Sequence, residues 1–245
     1  MDPTAARELG RLLTGTEARN MANRLTEGDT LTQALRAIAT GQHAAVRRLV
    51  AARSRPSVIA VLRAIEGARS TPTTATPLWT MPGGLAHGGP LTSSVPHLVD
   101  RALRSITCST YNFQRSSGLW SALREAARRP GVTVRVYLDG AAAGHGAPTA
   151  GEVAVHLSPG VVFRGKPFDG VSVRNHAKFL AIDHRYLLVT SANYSWSAEH
   201  GNVEFGVLLD DRNLTESVER ELLNVEDQLY EKVRGSVPKN TVGHP

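Results

Sequence analysis

The chain has little to crosslink, little to stack and nothing to span a membrane. It contains one cysteine, Cys108, so no intrachain disulfide can form, as expected of a reducing compartment. Aromatic residues make up only 5% of the 245 residues, which leaves the core to Val, Leu, Ala and Ile. No run of eighteen apolar residues occurs, and the opening MDPTAARELGRLL has neither an apolar h-region nor a small-residue cleavage site. A cytoplasmic protein without a transmembrane segment is the expectation. The sequence also lacks HExxH, CxxC, a Walker A loop, GxGxxG and GxSxG. No metal and no cofactor are therefore expected.

What is present is basic charge, unevenly spread. The formal net charge is +6. Residues 1–70 hold eleven arginines, no lysine and six acids, whereas residues 71–245 are almost balanced, with seventeen basic and sixteen acidic residues. An arginine-rich face attracts phosphate backbones and anionic surfaces, although solvated helix faces are often arginine-rich too.

The patterning divides the chain. Residues 1–70 read as four or five short amphipathic helices, with breaks near Gly15, Gly28, Gly41 and Pro56 and a possible Asp2 cap before Pro3. Such short helices need a partner surface, either each other or the next domain. Residues 71–96 are rich in Pro, Gly, Ser and Thr and read as a linker or surface loop with one short strand around Leu78–Thr80. From 97 to 234, strands and helices alternate. Helices are expected over Val95–Arg104 and Gly118–Arg129. Strands are expected over Ser105–Phe113, Val132–Leu138, Val153–Leu157, Val161–Arg164, Val173–Ile182, Tyr186–Thr190 and Val203–Leu209. A long helix, Asn213–Lys232, would carry Leu214, Val218, Leu222, Val225 and Leu229 on one side. Residues 139–151 read as a flexible loop and 235–245 as a frayed tail. The fold class is α/β, a mixed β-sheet flanked by helices and preceded by a small all-helical region.

The chemistry concentrates in residues 174–210. His176, Lys178 and Asp183 form H-x-K-x4-D, followed by Ser191-Ala192-Asn193 and then by Glu204. The apolar runs between them read as strands, so the polar groups fall at strand ends. His176 and Lys178, two residues apart on a strand, would share a face, as would Ser191 and Asn193. Each residue alone has an ordinary reading as a solvated or turn residue. Together they supply what phosphodiester cleavage needs: a nucleophilic imidazole, a cation and amide or hydroxyl donors for the phosphoryl oxygens.

This stretch resembles the HKD motif of the phospholipase D superfamily: H-x-K-x4-D, then G-S/G-x-N, then an acid on the next strand. The likeness covers roughly residues 77–232. It departs at Thr190, which stands where the superfamily usually has Gly. The resemblance implies a phospholipase D-like sheet and a phosphohistidine mechanism, with His176 as nucleophile and Lys178, Asn193 and Ser191 on the phosphoryl group. Glu204 would fix the His176 tautomer, and Asp183 would act as structural support. Only His176 of the nine histidines heads an H-x-K, while the superfamily uses two such motifs across a pseudo-twofold. A homodimer with its active site on the twofold axis is therefore expected.

A single motif behind an arginine-rich helical N-terminus also resembles the DrmC family, the phospholipase D-like proteins of the DISARM bacterial anti-phage systems. That likeness implies DNA as substrate and other DISARM proteins as partners. Scattered arginines (Arg115, Arg164, Arg174, Arg185) and aromatics (Tyr111, Phe113, Tyr194, Trp196) are candidates for nucleic-acid contact. The alternatives are a phospholipase acting on lipid headgroups and a non-catalytic binding subunit. The first would need exposed aromatic or leucine side chains, and Trp79, Trp120 and Trp196 are scattered.

Overall fold

A computed structural model describes residues 2–69, 73–85, 91–139 and 147–235. Most of the expected 139–151 loop, part of the 71–96 linker and the 236–245 portion of the expected tail lie outside the described residues, as do His87, His145 and His244. The chain divides into two compact units, Met1–Thr73 with Asp211–Asn224, and Thr74–Asp210 with Val225–Pro245.

The first unit is helical, and local chemistry sets its boundaries. Helix α1 (Pro3–Leu12) starts where the Asp2 carboxylate accepts from the Thr4 and Ala5 amides, with proline in the first turn. Helices α2 (Gly15–Thr26) and α3 (Leu31–Ala34) each open with a capping box, Thr14 with Glu17 and Thr30 with Gln33. Gly28, at φ +106°, turns the chain between them in a conformation that favours glycine. Helices α4 (His43–Val50) and α5 (Arg55–Arg69) complete the set. They pack on one another through Leu9, Leu13, Met21, Leu35, Val46 and Leu62.

The second unit is built on an eight-stranded mixed sheet of order β1-β7-β6-β5-β2-β3-β4-β8. The strands are β1 (Thr74–Thr80), β2 (Ser105–Thr110), β3 (Thr133–Leu138), β4 (Val161–Gly165), β5 (Phe179–Ile182), β6 (Tyr186–Thr190), β7 (Glu204–Asp210) and β8 (Tyr230–Val233). β2, β3 and β4 are parallel and every other pair is antiparallel. The parallel strands are joined by α7 (Gly118–Arg128) and α8 (Ala150–Leu157), α6 (Leu91–Asp100) precedes β2, and the short α9 (Trp196–His200) joins β6 to β7. All six residues of β2 are buried, as a central strand requires. The core lies between the sheet and these helices and includes Ile106, Leu123, Val136, Leu180, Leu188 and the free Cys108.

Expectation and structure differ at four points. Val153–Leu157 is helical, not a strand. A short apolar run does not distinguish the two, and the Thr149–Glu152 capping box decides it, with Val153, Ala154 and Leu157 buried on one face. Only Phe179–Ile182 of the expected Val173–Ile182 strand joins a ladder, because its partner β2 reaches no further than Thr110. The terminal helix α10 (Arg212–Leu229) stops short of Lys232, and Tyr230–Val233 becomes the edge strand β8. Finally, α10 buries Thr215 and Glu219 rather than its leucine side, and Leu214 and Leu223 stay exposed. Polar contacts fix that rotation: Glu216 pairs with Arg69, and the Arg220 guanidinium donates to the Leu12 carbonyl.

Register brings one set of residues to one edge of the sheet. Ser109 pairs with Phe179, Phe179 with Val189, Thr190 with Gly206 and Thr80 with Glu204. The carboxyl ends of β1, β2 and β6 and the amino ends of β5 and β7 therefore meet. The opposite edge carries the β5–β6 turn, Asp183 and Asp210.

Candidate active site

Five of the six expected residues meet at the first edge. His176 and Lys178 occupy the extended segment entering β5, Ser191 and Asn193 follow β6, and Glu204 opens β7. His176 is exposed, and the Lys178 ammonium lies 3.3 and 3.4 Å from its two ring nitrogens and 3.1 Å from its carbonyl oxygen. The nucleophile candidate and the cation candidate are thus in contact. The Tyr111 ring, at the end of β2, packs 5.1 Å from the imidazole.

The backbone on both sides of His176 is pinned by a buried network that sequence reasoning missed. The Asn175 amide donates to the Asp139 carboxylate at 2.7 Å, and its side-chain nitrogen donates to the Tyr137 carbonyl at 3.1 Å. The Ser109 hydroxyl donates to the Ala177 carbonyl at 3.0 Å. Arg174 pairs with Asp139, whose side chain is wholly buried. A buried carboxylate needs such partners, and here they hold the residues flanking the imidazole. The available sequence signal was small: a polar residue directly before the histidine and an acid directly after a strong strand.

Two roles differ from expectation. Ser191 was a candidate phosphoryl donor, but its hydroxyl donates to Glu204 and accepts from the Phe205 amide at 3.1 Å. Its single proton is committed to the carboxylate. Glu204 was the expected partner of the imidazole. Its oxygens instead accept from Ser191 and from the Asn202 side chain, at 2.9 Å for the latter. Among the described residues no hydrogen bond joins it to His176, and its charge acts on Lys178. Asn193 keeps a buried side-chain oxygen with no hydrogen-bond partner among the described residues. Thr190, in place of glycine, accepts from the Ala192 amide at 3.0 Å and so closes the turn with its own hydroxyl.

Asp183 lies elsewhere. It sits in the β5–β6 turn, five residues along from Lys178, or roughly 15 Å at strand rise. Its carboxylate accepts from the backbone amides of Leu103, Arg104 and Ser105. Arg185 is at that far edge too, in a bidentate pair with Asp210. Arg164 pairs with Glu231 and Arg115 with Glu152. Of the aromatics, Phe113 and Tyr194 are buried, whereas Trp196 is exposed. Among the described residues, no three His, Cys, Asp or Glu side chains are grouped to hold a metal ion.

Electrostatics tie Lys178 to Glu204. Partial burial lowers the Lys178 pKa from its ordinary value, and the Glu204 charge opposes that shift. If Lys178 holds a phosphoryl group it does so as the ammonium, and binding through it would then weaken as pH rises through that lowered pKa. Glu204→Gln removes the opposing charge. It is expected to move the alkaline limb of the kcat/KM profile to lower pH and leave the acid limb in place. An unmoved alkaline limb would mean that Glu204 does not act through Lys178.

The sheet, its helices and this edge define an α/β phosphodiesterase-type fold of the phospholipase D superfamily. Residues 95–225 match the family described as cardiolipin synthase, PLD-like domain, and the chain belongs to that family. Among solved structures, the chain is similar to Nuc from Salmonella typhimurium, a phospholipase D family member. The TM-score is 0.54 at 20% identity, over 66% of this chain and 99% of that one. NucT from Helicobacter pylori gives 0.51 at 16% identity, over 64% and 98%. The phosphatidylserine synthase of Haemophilus influenzae gives 0.51 at 16% identity, over 74% of this chain but only 48% of that one. No curated protein sequence matches the chain significantly.

Proposed function

We propose that the chain is a phosphodiesterase that cleaves DNA without a metal, through a phosphohistidine at His176. The observation that carries this reading is the contact between an exposed imidazole and the Lys178 ammonium at the carboxyl edge of a phospholipase D-like sheet. In the first step an imidazole nitrogen attacks phosphorus and the P–O ester bond breaks. The departing oxygen takes a proton from a second imidazole. Water then attacks phosphorus, the P–N bond breaks, and the second imidazole takes the water's proton back. Lys178 and the Asn193 amide hold the phosphoryl oxygens in both steps.

The second imidazole is His176 of another copy, across a twofold axis. An apolar strip beside the site supports such an interface. Val189 and Phe205 are exposed on the sheet face opposite the core, and Val207, Phe179 and Trp79 continue the strip. An isologous contact there would bring identical edges together. The arginine-rich helical unit before a single motif supports a place beside the DrmC family. Phage DNA would be the target and other DISARM proteins the partners.

A second reading, reaction at a lipid headgroup, is favoured by Trp196 and Val203, which are 58% and 65% exposed at the same edge. Purified protein and His176→Ala, incubated in EDTA with single- and double-stranded DNA, RNA and phospholipid vesicles, separate the possibilities. DNA cleavage by the wild type alone, undiminished by EDTA, is the expected result. Cleavage confined to vesicles would replace DNA by lipid. DNA binding by both proteins with no turnover would make the fold a binding platform.

A further inference from the structure

A second basic feature lies on the helical side of the sheet, apart from the His176 edge. α7 and α8 flank an open groove of about 560 Å³. Arg115, Arg124 and Arg128 line it from the α7 side, and Glu152, Val155 and His156 from α8. Its floor is rigid. The Trp120 indole stacks under the His156 ring at 4.0 Å and 18°, and His156 Nε2 lies 3.0 Å from the Trp120 carbonyl.

The three arginines are not equivalent. Arg115 is held by Glu152 at 2.7 Å. Arg124 and Arg128 are exposed and have no ion-pair partner among the described residues. They stand four residues apart on one helix, so their side chains lie on one face about 6 Å apart along the axis. That interval suits successive phosphates on one strand. All three charges converge on His156, whose pKa is pushed down first by burial and then by the guanidiniums of Arg124, Arg128 and Arg115. Three cations against one glutamate, around a fixed aromatic floor, leave a local excess that an anion would relieve.

The groove also has a direction. Arg115 follows Gln114, whose amide donates to the Tyr194 carbonyl at 2.9 Å, next to Asn193. The arginine line therefore begins beside the site edge and runs about 15 Å along α7 to Arg128.

We propose that the α7–α8 groove binds the phosphate backbone of the strand whose scissile bond lies at His176, so that a long substrate is gripped beyond the reacting diester. This rests on the nucleic-acid reading above. A lipid surface fits the groove less well. Val155 is the one exposed large apolar side chain on its walls, and membrane docking needs several.

The test compares the wild type with the double variant Arg124→Gln/Arg128→Gln on bis(p-nitrophenyl) phosphate and on long single-stranded DNA across a salt series. Both substitutions are at exposed positions outside the reacting groups. Unchanged kinetics on the small diester are expected, with KM for long DNA raised about tenfold and the slope of log affinity against log salt reduced by roughly 1.5. Equal KM and equal salt slope on long DNA would overturn the groove while leaving the nuclease reading intact. Loss of binding to anionic vesicles, with DNA unaffected, would overturn it in favour of a lipid contact. A wild type that cleaves the small diester but neither binds nor cleaves DNA would remove the nucleic-acid reading itself, and the groove proposal with it.

Discussion

His176→Ala is expected to lower kcat by on the order of 10⁴-fold or more on any diester the protein cleaves, with thermal stability unchanged. The loss is large because the imidazole would form the covalent bond, and no other described side chain at that edge can replace it. Stability should hold because the ring is exposed and, among the described residues, its hydrogen-bond and ring contacts are with Lys178 and Tyr111. The same variant tests the shared site. If two copies must each supply His176, a mixed dimer has one imidazole and cannot complete both proton transfers. Exchanging half of the wild-type subunits for His176→Ala subunits should then leave about a quarter of the activity, the share of all-wild-type dimers. Activity falling only to half would show that each chain works alone.

The motif was legible in the sequence because strand periodicity acts over short distances. Two residues apart in an extended segment means one face, and His176 and Lys178 are indeed in contact. Ser191, Asn193 and Glu204 reach the same edge because each lies at the end of an apolar run that must pair antiparallel with its neighbour. What was not legible depends on partners far along the chain. Asn175 is tied to Asp139 and Ser109, 36 and 66 residues away, and nothing local marks that pairing. Ser191 and Glu204 looked like independent site residues, yet thirteen positions of separation close into one hydrogen bond, so each has a different task. The rotation of α10 has a similar cause. Its leucine stripe argued for one buried face, whereas Arg69 and the Leu12 carbonyl, both distant in sequence, draw Glu216 and Arg220 inward. The boundary between α10 and β8 carries no local signal, because residues 212–233 contain neither glycine nor proline.

Asp183→Ala is expected to destabilise the protein by about 3 kcal/mol, measured as a lower urea midpoint, with little change in kcat for the molecules that remain folded. Though part of the H-x-K-x4-D spacing, Asp183 lies at the edge of the sheet opposite His176 and Lys178. It accepts from three consecutive backbone amides at the start of β2, the strand every one of whose residues is buried. Alanine would leave those donors without their charged acceptor. It would also place a residue ill suited to the left-handed region at a position with φ +54°. Asp183→Asn offers a control, because asparagine tolerates that conformation and keeps one oxygen, and a loss of about 1 kcal/mol is expected. The two variants separate the structural role from a catalytic one. If Asp183→Ala keeps the wild-type midpoint but loses activity by orders of magnitude, the aspartate acts on the reaction after all. If both variants lose stability in that order and keep kcat, the last residue of the motif serves the strand that carries the site.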